Sequence, residues 1–307
     1  MTEFSSEIKI KEIKPALSGY ISKSLVLLKQ KQVPDDDAVH DIRVLMKKSR
    51  AVLKLIQPQI KSELYDKDFQ SLKQVGKILS RWRDVTVHRK TIRELKRKWP
   101  SIFIQLENNE RIRFLLSRQE SAFDQDESTA ESLKEIEILL RKTGYRIRFN
   151  QLKELDVQLL TDQLSKSYEV VQKVYLECRN KTTPVRIHRL RKRSKDFLYQ
   201  LWFFRLVKSS KVKVAEKTLE KLTRNLGRYN DLHQLLTELE YVYPNDGKSP
   251  AMDDLVIKIR GLQDKYLQRA WPDAYKCFSP YKGLSPSTLG LYMQTLQSEP
   301  LIQKNQL

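Results

Sequence analysis

Apolar residues recur along this chain at three- and four-residue steps, the spacing that lines one face of an α-helix. The sharpest instance runs from His40 to Lys54, HDIRVLMKKSRAVLK. Wound at ~100° per residue, Ile42, Leu45, Met46, Ser49, Val52, Leu53 and Ile56 fill one sector. His40, Arg43, Lys47, Arg50 and Lys54 fall in a narrow sector opposite, at i, i+3, i+7, i+10 and i+14. The pattern predicts a helix over 36–57 that buries one stripe and carries a ladder of cations on the other. Acids at i,i+4 would normally be mixed among such cations, because opposite pairs stabilise a helix and like pairs destabilise it. Asp41 is the acid of this stretch, and it sits near the N-terminus, where the helix dipole favours it.

The same arrangement occurs again at Arg186 to Phe204, RIHRLRKRSKDFLYQLWFF. His188, Arg191 and Lys195 repeat the spacing of His40, Arg43 and Lys47, while Leu190, Phe197, Leu201 and Phe204 form the apolar stripe. A helix over 184–206 follows, with Pro184 at its first position, where a missing N–H costs nothing. A second motif trails each helix: LSRWRDV at Leu79 to Val85 and LGRYNDL at Leu226 to Leu232. Two motifs in the same order at similar separation indicate an internal duplication.

The remaining periodicity supplies further helices. One begins at Pro15 with Leu17, Ile21, Leu25 and Leu28 inward; Asp35, Asp36 and Asp37 then offer caps for the motif helix. Residues 61–98 read as helical with an adjustment near Gly76, and Pro100 closes them. Helical stretches follow at 102–123, 132–149, 155–178, 211–239 and 252–278, with loops at 124–128 and 244–250. The expected architecture is all-α: two helical bundles related by a pseudo-twofold axis. The expected boundaries are a polar segment at 1–14, an N-terminal bundle at 15–123, a linker and connecting helix at 124–150, a C-terminal bundle at 151–278 and a tail at 279–307. If the halves repeat, their basic stripes face a shared groove.

Composition changes the picture mainly through charge. The 307 residues are 40% hydrophobic, enough for a core, and hold 8 glycines, few enough to favour long helices. Against 58 Lys+Arg stand 38 Asp+Glu, a formal charge of +20, which calls for a polyanionic partner. Cys178 and Cys277 lie far apart without neighbouring histidines and read as buried apolar groups, neither a disulfide framework nor a zinc site. MTEFSSEIKIKEIK has no secretory h-region, and no run of about 18 apolar residues occurs, so a soluble cytoplasmic protein is expected.

The pairing of HDIRVLMKKSRAVLKL with IHRLRKRSKDFLY, and of WRDV with YNDL, resembles the conserved histidine α-helical domain (CHAD) family, from about residue 10 to about residue 280. The second copy departs from the pattern at Asp196, which stands where the first copy has Lys48, and at Leu198. The resemblance implies the two-bundle fold and a basic surface that binds inorganic polyphosphate, with a place at polyphosphate granules. It assigns the ligand to Arg43, Lys47, Lys48, Arg50 and Lys54 from one half and Arg191, Lys192 and Lys195 from the other, with His40 and His188 assisting. CHAD proteins can follow a triphosphate-tunnel catalytic domain marked by Glu-x-Glu-x-Lys. Here Glu7-Ile8-Lys9-Ile10-Lys11 breaks that motif and fewer than forty residues precede His40, so a stand-alone member is expected.

The residues themselves leave two rivals. Tyr199 and Trp202 continue the sector of His188, Arg191 and Lys195, where they either stack nucleobases or pack against a neighbouring helix; we expect packing. Nucleic acid is therefore the alternative partner. The aligned acids Asp84 and Asp231 are read as capping a helix or orienting Arg81 and Arg228, which, with Tyr199, are secondary candidates for anion contact. A phosphoryl-transfer enzyme is the weaker rival, since no Gly-rich phosphate loop, Gly-x-Ser-x-Gly or His-Glu-x-x-His occurs. No cofactor or metal is expected. His88 and His233 do not align and are read as surface residues.

Overall fold

Short polar side chains and prolines set the ends of the helices. In the computed structural model Asp35 caps the first motif helix, its carboxylate accepting from Ala38 N at 2.9 Å. Asp156, Thr183 and Ser249 cap three later helices in the same way, and Pro184 and Pro250 occupy first-turn positions. The structure describes residues 12–289 except 32, 110–111, 114–126, 150–154, 205–208, 242–248 and 282.

The helices are α1 (Ile13–Lys29), α2 (Asp36–Ile56), α3 (Ser62–Lys98), α4 (Pro100–Gln105), α5 (Glu127–Phe149), α6 (Val157–Asn180), α7 (Pro184–Leu201), α8 (Ser209–Tyr241) and α9 (Pro250–Phe278). The protein is all-α, with no strand among the described residues. Helix α7 stops at Leu201 and gives way to a 3-10 turn, Trp202–Phe204, short of the expected end at 206. Of the helix expected over 102–123, the described residues show α4 over Pro100–Gln105, a turn after it and helical residues again at 112–113; 110–111 and 114–123 lie outside the described residues. Helix α3 runs unbroken through Gly76, where an adjustment was expected.

Each motif helix lies between its predecessor and its successor: α2 between α1 and α3, α7 between α6 and α8. Helix α5 begins within the stretch read as a linker and packs on α1 and α3. Ion pairs fix it there, Arg146 Nε to Asp68 Oδ1 at 2.6 Å and Lys29 Nζ to Glu137 Oε1 at 2.8 Å. It is a member of the packed assembly.

The buried apolar side chains of the two halves form one continuous cluster, not two. It runs from Ile13 and Leu17 on α1 through Ile42 and Met46 on α2 to Ile187 and Leu190 on α7 and Phe278 at the end of α9. Phe197, Phe203, Phe204 and Phe278 are fully buried in it, and each contributes about 1.5–3 kcal/mol through area removed from water. A second cluster joins Ile92 and Leu95 of α3 and Phe103 of α4 to Leu235, Leu239 and Leu255 of α8 and α9. Helix α3, 37 residues long, thus serves the first half at one end and the second half at the other.

One histidine departs from expectation. His88, expected at the surface, is 8% exposed on the stretch of α3 between the two clusters, while His233 is half-buried. The thiols of Cys178 and Cys277 are buried as expected, and burial pushes the Cys178 thiol up to about 11. Part of the tail also folds back: Leu284 N donates to Cys277 O at 2.8 Å and Leu289 is 1% exposed.

Gly76 gives a direct test of the continuous helix. A Cβ added there meets nothing within 4 Å. Gly76→Ala should therefore stabilise the fold by about 0.5–1 kcal/mol, the usual gain of alanine over glycine inside a helix. A fall in the denaturation midpoint would show that α3 bends or is crowded at this point.

Candidate functional site

The two motif helices meet directly. Gln200 Nε2 on α7 donates to Ala51 O on α2 at 3.1 Å, in a buried position, and Lys54 Nζ reaches Asp196 Oδ2 at 2.5 Å. Ser49, Ala51 and Ser194 are fully buried, and small side chains suit two closely approaching backbones. The contact brings Arg43, Lys47 and Arg50 into the neighbourhood of His188, Arg191, Lys192 and Lys195.

Lys47 registers this most strongly. Burial, then the charges of Arg191, Arg43, Arg50 and Lys195, push its ammonium from the ordinary 10.5 down to about 7. No acid faces it in that set. Lys195 is lowered by burial and by Arg191, Lys48 and Arg224, with Glu220 opposing. Lys192 is lowered by burial, Lys54, Arg50 and Arg193, with Asp196 opposing. Burial, Arg191, Lys192 and Lys47 hold His188 below 6.5, so this imidazole stays neutral to lower pH than an isolated one. Arg50 is lowered by burial, against the field of Asp196.

Asp196, the departure in the second motif, is the acid that both stripes share. It pairs with Lys54 across the halves, both side chains less than a fifth exposed, and stands 4.0 Å from Arg193. Lys54, expected as a ligand contact, is thus engaged within the protein. Lys48 shares the Tyr199 ring with Lys195, its ammonium 5.9 Å from that ring and 5.7 Å from the ring of Tyr20. His40 is exposed one turn before Arg43.

Each motif arginine lies against a glycine of the helix that follows. Arg43 Nη1 donates to Gly76 O at 2.8 Å. Arg191 covers Gly227, where an added Cβ would stand 3.2 Å from its Nε. Only a missing side chain lets the guanidinium lie that near the α8 backbone.

Of the secondary candidates, Arg81 is exposed and Arg228 pairs with Glu94 of α3 at 3.0 Å. The side chain of Asp84 lies outside the described residues. Tyr199 is half-buried beneath Lys48 and Lys195, and burial pushes its phenol up to about 12. Trp202 packs on the core edge-on to Phe203 at 4.9 Å, the packing role expected for it. The sequence reading missed Arg224 and the stripe it belongs to. Lys217, Lys221, Arg224 and Arg228 are all exposed on α8 at i, i+4, i+7 and i+11, a signal visible once α8 is read for charge as well as for apolar period.

Among the described residues, no group of three or more His, Cys, Asp or Glu is placed to hold a metal ion, and no helix is long and apolar enough to cross a membrane.

The CHAD domain family matches residues 25–240. The chain belongs to the CHAD family. The crystal structure of the CHAD domain from the plant Ricinus communis has the same fold, with a TM-score of 0.61 at 19% identity over 86% of this chain and 91% of that one. No curated protein matches. All of the cationic residues named above fall inside the CHAD match, whereas α9 lies beyond it and still packs on α8.

Lys47 makes CHAD stability depend on pH. Its folded form releases a proton near 7 and its unfolded form near 10.5. Between those values the unfolded chain binds more protons, so this group makes stability rise with pH, and its penalty is complete below the lower value. Lys47→Met should raise the melting temperature at pH 6–7 and flatten the rise toward pH 9. An unchanged slope in the variant would contradict the placement of Lys47.

Proposed function

We propose that the protein is a non-catalytic binder of inorganic polyphosphate, held in a basic groove where α2 and α7 meet. One observation carries the reading: Lys47 sits among Arg43, Arg50, Arg191 and Lys195 and is driven down to about 7 by them and by burial. A cluster of like charges that folding holds together is completed by a ligand bringing negative charge. Guanidinium forks take phosphate oxygens in pairs, and the lysines add point charges.

The ladder of cations favours a linear polyanion over a compact phosphate. From His40 to Lys54 the stripe extends ~21 Å at 1.5 Å per residue, with cations at each turn. Its second strand is His188, Arg191, Lys192 and Lys195. Charge rather than base recognition is supported by Tyr199 and Trp202, since both rings are occupied by neighbours within the protein. Binding would be driven by counterion release and fall steeply with salt.

Arg43→Ala and Arg191→Ala should each weaken polyphosphate binding by roughly 1–3 kcal/mol, the range for hydrogen bonds to charged groups, with little change in melting temperature. Each should also reduce the salt slope by ~0.9, the value per contact on duplex DNA. Lys61→Ala, exposed at the start of α3, is the control. If Arg191→Ala matches the control while Arg43→Ala does not, the two stripes do not form one site. Equal affinity for single-stranded RNA of matched charge at ~0.15 M salt would favour nucleic acid instead.

Asp196 supplies a prediction of opposite sign. Asp196→Asn removes the negative charge opposing Lys192 and Arg50 and frees Lys54. Polyphosphate affinity should rise about ten-fold while stability falls, read by calorimetry and thermal melting on the same sample. Unchanged or weaker binding would place the ligand away from Asp196.

A further inference from the structure

Lys47 differs in chemistry from the lysines around it. Its amine lies half-buried where α2 meets α7, and among the described residues it makes no ion pair or hydrogen bond. Arg43 and Arg50 of its own helix and Arg191 and Lys195 of α7 oppose its charge, and His188 of α7 lies in the same field. With its proton released near 7, the amine is mostly a free base at pH 7.5. An ordinary lysine has only about one part in a thousand of its amine in that form at the same pH. Free lysine amines are nucleophiles, and burial or a cationic neighbour activates them in this way.

The neighbours specify what the amine can attack. Arg191 is the strongest of the charges acting on Lys47. Its guanidinium lies against Gly227, and no carboxylate pairs with it among the described residues. Arg50 uses its Nε on Met46 O at 3.3 Å and keeps its two terminal nitrogens. Two guanidiniums around one free amine suit an electrophile that carries a phosphate, because each fork takes phosphate oxygens in pairs. An acyl phosphate joins both requirements. Its carbonyl carbon faces the amine, and its phosphate faces the guanidiniums, which stabilise the charge that builds on it as it departs.

We propose that Lys47 is an acylation site that reacts directly with small acyl phosphates. Lys47 Nζ attacks the carbonyl carbon, the bond from that carbon to the phosphate oxygen breaks, and the proton of the amine leaves with the phosphate. The products are an amide at Lys47 and one hydrogen phosphate ion, with nothing oxidised or reduced. The amide carries no charge, so acylation also removes the repulsion that the fold otherwise bears at this position. The reaction draws on the cation cluster and does not require polyphosphate as the ligand of the groove.

The test is incubation of the full chain with acetyl phosphate at pH 7.5, with the acetylation of each lysine followed by peptide mass spectrometry. Lys47 should react at least about ten-fold faster than Lys61, the exposed lysine at the start of α3. Inorganic phosphate should slow Lys47 and leave Lys61 unchanged. Acetic anhydride, which carries no phosphate, separates a reactive amine from a recognised reagent. The ratio of Lys47 to Lys61 should be smaller with it than with acetyl phosphate. Arg191→Ala should slow Lys47 about ten-fold or more, with the melting temperature reporting the fold of the variant. The comparison of lysines in the unaltered chain holds whether or not that variant folds. Acetylation of Lys47 no faster than that of Lys61, or an equal ratio with the two reagents, would overturn the proposal.

Discussion

Lys47 cannot take its ordinary charge in this fold without cost, and much of the molecule around it follows from that constraint. Its ammonium is half-buried where α2 meets α7, and the nearest charges acting on it are those of Arg191, Arg43, Arg50 and Lys195. Burial and like charge both oppose protonation. Such an arrangement persists only when other interactions bring the helices together. Here they are the fully buried stripes of α2 and α7, the Gln200–Ala51 hydrogen bond and the Lys54–Asp196 pair.

Those interactions also explain why the halves share a core. Had each motif helix faced a separate bundle, the stripes would be free to separate and relieve their repulsion. One apolar cluster from α1 to α9 removes that freedom, and α3 adds a second tie by packing its far end on α8 and α9. The cations are thus presented as a preorganised field, which lowers the ordering cost of binding a polyanion.

Much of this could be read from residue order. The apolar periods of α2 and α7, the cap at Asp35 and the proline at 184 located the motif helices, because those signals are local. What no local signal carries is which faces meet. The stripes were expected to face one another only by appeal to the duplication, and the contact between α2 and α7 rests on tertiary packing. For the same reason the packing of α5 was not legible: the burial of Ile136 and Leu140 against α1 and α3 is a property of the assembled fold. His88 misled because its burial on α3 comes from tertiary packing and not from its local sequence. Asp196 looked like a flaw in a repeat and is instead the acid that both halves share.

In the proposed function a polyanion completes the charge cluster around Lys47. Binding phosphate oxygens there must restore the lysine's proton, because the opposing cations gain a counter-charge. The most direct measurement is proton uptake on polyphosphate binding at pH 8, from calorimetry in buffers of different ionisation enthalpy. The account predicts uptake of up to about one proton per bound chain, lost in Lys47→Met. Polyphosphate binding with no proton uptake, or with the same uptake in Lys47→Met, would contradict it.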